Sequence, residues 1–100
     1  MSRMRPTEDQ RPTLVYFASR RSGPCRRVQA FLDQVLQSRK NHETFRRRDV
    51  DVDDHPELAE RFKVQELPTI IVVDDGRIAQ RIEGRVGIPQ IRTALGAWLQ

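Results

Sequence analysis

The stretch Thr69 to Ile82, TIIVVDDGRIAQRI, constrains the fold more than any other. Thr69 to Val73 is β-branched and apolar, as suits a strand buried on both faces. Asp75-Gly76 is a strong two-residue hairpin signal, so Arg77 to Ile82 is expected to return beside it as an antiparallel neighbour. The rest of the sheet must be assembled around this pair.

Thr13 to Ala18, TLVYFA, is a second short run with the β-branched and aromatic content of a buried strand. After the loop Ser19 to Gly23, apolar residues fall at Val28, Phe31, Leu32, Val35 and Leu36, which describes one face of a helix beginning at Pro24. Ser22 occupies the N-cap position and Pro24 the first turn, where its missing N–H costs nothing. A polar connection over Arg39 to Glu43 leads to a strand expected over Thr44 to Val52. Its Arg46-Arg47-Arg48 run would be hard to place in a central strand and points to a sheet edge. Asp54-His55-Pro56-Glu57 opens a helix with Leu58, Ala59 and Phe62 inward, and Ile88 to Leu99 closes the chain as a helix with Ile88, Ile91, Leu95 and Trp98 or Leu99 inward. A helix joining the first two strands makes them parallel through a right-handed crossover. The expected fold class is α/β, with a four-stranded mixed sheet and helices on both faces.

One hundred residues suffice for one domain. Residues 1 to 12, with two prolines and only methionine for apolar content, read as a flexible segment ahead of a domain over residues 13 to 100. The longest apolar run, Ile70 to Val73, is far too short for a membrane span, and no apolar stretch follows the first basic residues as in a secretory signal. Cys25 is the only cysteine, which excludes an intramolecular disulfide and suits a reducing compartment, so a cytoplasmic monomer is expected. The net charge is +4 and 16 of the 18 basic residues are arginine, but they alternate with 14 acids and form no long positive tract of the kind that binds nucleic acid. His42 and His55 lack partners at metal-ligand spacing, so neither a metal nor another cofactor is expected.

From Thr13 onward the chain resembles the thioredoxin family. The landmarks are Phe17, Gly23-Pro24-Cys25 at a helix start, Val50-Asp51-Val52-Asp53 before a helix, Leu67-Pro68-Thr69 before a buried strand, Asp75-Gly76 in a hairpin and Gly84 before the last helix. The resemblance implies a thioredoxin-like three-layer sandwich. Twelve residues before Thr13 are too few for a further edge strand and helix, so the minimal version with sheet order 2-1-3-4 is expected. It also implies a cis Leu67–Pro68 bond and a partner-binding surface formed by Arg21, Gly23, Pro24, Leu67, Pro68, Gly84 and Arg85.

The departures from the family pattern are as informative. Ser22 stands where the family has its attacking cysteine, giving SGPC in place of CGPC. A hydroxyl is not a practical nucleophile toward sulfur, so the two-cysteine cycle cannot run. The buried acid that assists proton transfer in the family aligns with Tyr16, its nearby lysine with Asp49, and the tryptophan before the motif with Arg21. Ser22 is expected to cap the helix, with a hydrogen bond to the Cys25 sulfur as the alternative. The helix start and Arg20, Arg21, Arg26 and Arg27 favour a thiolate at Cys25, whereas burial opposes it. The chain is thus expected to bind a protein or peptide, with arginines selecting acidic partners, and not to act as a disulfide reductase. The alternatives are a single-cysteine protein forming mixed disulfides through Cys25 with glutathione or another thiol, a disulfide reductase if Ser22 replaces a native cysteine, and an anion held by Arg20 and Arg21 at the helix start.

Overall fold

The computed structural model describes residues 11–99. The segment expected to be flexible lies outside the described residues except for Arg11 and Pro12. The Arg11 guanidinium donates to the Glu43 carbonyl at 3.1 Å, and the Pro12 carbonyl accepts the Arg46 N–H at 2.8 Å. The elements are β1 (Thr13–Ala18), α1 (Gly23–Gln37), a 3-10 helix (Ser38–Glu43), β2 (Arg46–Asp51), α2 (Pro56–Arg61), β3 (Thr69–Asp74), β4 (Arg77–Glu83) and α3 (Ile88–Leu95). They form one four-stranded sheet in the order β2-β1-β3-β4, as expected. β1 runs parallel to β2 and antiparallel to β3, which pairs antiparallel with β4. Asp75 and Gly76 have φ of 56° and 77°, the two positive values that a type I′ hairpin turn needs.

Strand alternation divides the core into two layers. Leu14, Tyr16, Ile70 and Val72 face α1 and α3, and pack with Val28, Leu32, Val35, Leu36, Ile91 and Leu95. Val15, Phe17, Val50 and Ile71 face the opposite way, toward Leu58, Phe62, Val64 and Leu67. Fully burying one such aliphatic or aromatic side chain contributes about 1.5–3 kcal/mol. The short α2 buries none of its residues completely. Phe62, just beyond it, supplies the main anchor with its ring 5.4 Å from that of Phe17.

Several expected boundaries shift, most of them by one residue. β2 starts at Arg46 and not Thr44, because the 3-10 helix consumes the preceding residues. The Asn41 amide donates to the Ser38 carbonyl at 2.6 Å, and its side-chain oxygen accepts the Thr44 hydroxyl at 3.2 Å. β2 also ends at Asp51 and not Val52. The last helix stops at Leu95, where Gly96 disfavours continuation. Trp98 nevertheless folds back, its ring 6.1 Å from Phe45 and its indole N–H donating to Asp74 at 3.2 Å. Among the described residues, no helix is long and apolar enough to cross a membrane.

Candidate functional site

The C-terminal ends of β1 and β2 lie side by side because these strands are parallel, and the motif loop leaves from the first of them. Ser22 takes extended N-cap geometry (φ −106°, ψ 118°), yet its hydroxyl makes no capping hydrogen bond, contrary to expectation. A capping oxygen normally accepts from the second or third helical N–H. Here the second residue is Pro24, which has none, so half of the usual donors are missing.

Cys25 follows in the first helical turn with only 2% of its surface exposed and its sulfur free of any disulfide. Tyr16 rises beneath it from the middle of β1, and its hydroxyl donates to the Cys25 carbonyl oxygen, not to the thiol. Asp49 is the register partner of Tyr16 on β2. Two residues back toward the strand start, on the same face, Arg47 donates to Asp49 at 2.9 Å and to Asp33 of α1 at 2.6 Å. Desolvation works against the Arg47 guanidinium, but these carboxylate hydrogen bonds outweigh it and hold its pKa above the ordinary value. The position behind the cysteine thus carries a tyrosine committed to a backbone carbonyl and an acid already neutralised by arginine.

Burial, followed by the influence of Cys25 and Asp49, raises the Tyr16 pKa well above its ordinary value of 10.0. The native state therefore holds this proton more tightly than the unfolded chain, and its contribution to stability is complete below pH 10 and lost as pH rises through the native value. Tyr16→Phe is expected to cost about 1 kcal/mol at neutral pH and to flatten the alkaline decline of Tm, measured by thermal melts across that range. An unchanged alkaline profile in the variant would contradict the assignment.

The arginines before the motif are paired at the surface with the chain's own acids. Arg20 lies 3.4 Å from Asp51 and 3.5 Å from Asp54, and Arg21 lies 3.3 Å from Asp53. Asp53 also accepts the Ser19 hydroxyl at 2.7 Å, and that bond, with Arg21, holds its carboxyl below the ordinary range. These pairs are exposed and add little stability, but they set the direction of both side chains. An anion held by Arg20 and Arg21 would have to compete with three carboxylates.

The Leu67–Pro68 bond is cis. Pro68 is buried and its carbonyl accepts the Gly84 N–H at 2.8 Å. Gly84 has φ +84°, and a Cβ there would sit 2.7 Å from a Glu66 carboxylate oxygen. Leu67 turns into the lower core layer. Of the expected surface, Pro68 and Gly84 are thus covered, while Arg21, Gly23 and Arg85 are exposed and Pro24 is half-buried.

Gly23, Pro24 and Arg85 meet in a groove of about 570 Å³ between α1 and the turn after β4. Arg27, Val28, Phe31, Val86 and Gly87 complete it. Sequence patterning assigned Phe31 to the buried helix face, and only its position at the edge of that face hinted at a groove. A second cavity, about 500 Å³, lies on the other side of the motif against Tyr16, Cys25, Arg26 and Asp49. Among the described residues, no cluster of histidine, cysteine or carboxylate groups could hold a metal ion.

The thioredoxin family model matches residues 5–97. The chain belongs to the thioredoxin family. It is 36% identical over 77 residues to a thioredoxin of Mycolicibacterium smegmatis, a stretch covering 77% of this chain and 69% of that protein. A Mycobacterium tuberculosis thioredoxin is likewise 36% identical over 77 residues, with 65% of its length covered. The thioredoxin of Fasciola hepatica superposes with a TM-score of 0.77 at 25% identity, covering 89% of this chain and 82% of that one. The aligned stretch therefore spans about two thirds of the length of the mycobacterial thioredoxins.

Proposed function

We propose that this thioredoxin-fold domain does not run the dithiol–disulfide cycle and serves instead as a protein- or peptide-binding module. The observation that carries this is the pairing of Ser22, at the attacking position, with a Cys25 that is only 2% exposed. In the dithiol cycle one thiolate attacks a partner disulfide and expels a thiolate, and a second thiol then attacks the mixed disulfide. That step releases the other partner thiol and closes an intramolecular disulfide, a two-electron transfer. A chain with one thiol has no second step, and a serine hydroxyl supplies no first one. The Tyr16 hydroxyl on the Cys25 carbonyl and the Arg47 guanidinium on Asp49 support the same view, since neither leaves a group to shuttle a proton to sulfur. Recognition would then fall to the surface around Ser22, Gly23, Pro24 and Arg85 in a cytoplasmic monomer.

A second function, mixed-disulfide formation by Cys25 with glutathione or a protein thiol, draws support from the cavity of about 500 Å³ that Cys25 lines. One experiment separates the two. The wild-type chain is expected to precipitate insulin no faster than dithiothreitol alone, and Cys25→Ser is expected to keep full affinity for any captured partner. Insulin reduction at the rate of an ordinary thioredoxin overturns the proposal, and loss of the partner in Cys25→Ser favours the single-thiol function.

A further inference from the structure

The groove between α1 and residues 85–87 has a division of labour that identifies its ligand. Its floor is apolar: Val28 is buried, and Phe31 and Val86 are half-buried with their inner sides packed on the main core layer. Two exposed arginines, Arg27 on α1 and Arg85 after β4, line it from opposite elements. Among the described residues neither has an ion-pair partner, whereas Arg20 and Arg21 beside the motif are satisfied by Asp51, Asp53 and Asp54. Arg47 and Arg81 are likewise satisfied, by Asp33 and Asp49 and by Glu83. The groove thus offers a partner two guanidinium groups with no carboxylate of the chain against them among the described residues, unlike the two arginines preceding the motif. The volume, about 570 Å³, suits a few side chains.

We propose that this groove takes a peptide segment in which an apolar side chain is flanked by carboxylates, the apolar group on Phe31 and Val86 and the carboxylates on Arg27 and Arg85. The inference rests on the binding function proposed above and names its partner class. A bare phosphate would leave the apolar floor unused, and a neutral apolar peptide would leave two arginines desolvated without compensation. An acidic segment with an apolar centre satisfies both. The access is open, because a Cβ built at Gly23 would meet nothing within 4 Å.

The test uses the full chain and three short fluorescein-labelled peptides identical except for an internal four-residue segment, which is Glu-Phe-Leu-Glu, Gln-Phe-Leu-Gln or Glu-Ser-Ser-Glu. Affinity is read by fluorescence anisotropy, and the site by amide shifts in the 15N-labelled protein. The first peptide is expected to bind about tenfold tighter than either other, with shifts centred on Gly23, Val28, Phe31 and Val86. Arg27→Gln and Arg85→Gln are each expected to weaken it about threefold and to leave the glutamine peptide unchanged. Gly23→Glu, which adds bulk and negative charge at the mouth, is expected to weaken the acidic peptide most while preserving the fold. Equal binding of the first two peptides, with shifts still in the groove, overturns the charge assignment and leaves the binding function standing. Shifts elsewhere overturn the groove assignment, and no binding by any peptide overturns both. Tighter binding of a single-stranded oligonucleotide than of the first peptide overturns the peptide class.

Discussion

Ser22→Cys is expected to convert a chain that leaves insulin disulfides intact into a weak reductase, slower than an ordinary thioredoxin by about a hundredfold or more. The substitution restores a nucleophile at the N-cap of α1, with Cys25 in the first turn to resolve a mixed disulfide. It does not restore proton transfer. General acid–base assistance contributes about 10²–10⁴ in rate, and the groups that would provide it are otherwise engaged. Tyr16 spends its hydroxyl on the Cys25 carbonyl, and Asp49 is bound to Arg47 at 2.9 Å. Insulin turbidity with dithiothreitol as electron source, run on wild type and variant together, gives the comparison. A variant as fast as an ordinary thioredoxin would mean that the changes at positions 16 and 49 are immaterial to the chemistry.

Leu32→Ala should produce the largest loss of stability, about 2–5 kcal/mol. Leu32 is fully buried on the inner face of α1, in the core layer shared by β1, β3 and α3. Its truncation removes the transfer free energy of the side chain and leaves a void that the surrounding sheet and helices can collapse into only partly. Against a typical domain stability of about 5–15 kcal/mol, this takes away a large fraction. Urea denaturation should show a lower midpoint with an unchanged m-value. A loss below about 1 kcal/mol would contradict the packing of α1 on the sheet.

Local patterns made much of the sheet legible in the sequence, and the family resemblance supplied its order 2-1-3-4. The Asp75-Gly76 turn set β3 against β4, the helix between Thr13–Ala18 and the next strand made those strands parallel, and the arginine run placed β2 at the edge. The same parallel pairing was the available signal that Arg20 and Arg21 would meet Asp51, Asp53 and Asp54, since it brings the two strand ends together. Their opposite charges were visible, but the direction of each side chain was not. Arg47 was read with Arg46 and Arg48 as edge charge. Strand alternation turns it to the α1 side, where Asp33 and Asp49 hold it. The expected cap at Ser22 failed for a reason also written in the chain, because Pro24 removes a donor. The return of Trp98 to Asp74 and Phe45 had no local signature, for it depends on where three distant elements meet.

The most direct measurement of the central claim is alkylation of Cys25 with iodoacetamide, followed by intact mass, in the folded wild-type protein and in denaturant. A thiol only 2% exposed is expected to stay unlabelled in the native state at neutral pH and to react promptly once unfolded, as a structural cysteine in a redox-inactive binding domain should. Rapid native labelling at neutral pH would show an accessible thiolate and would make Cys25 itself the working group of this domain.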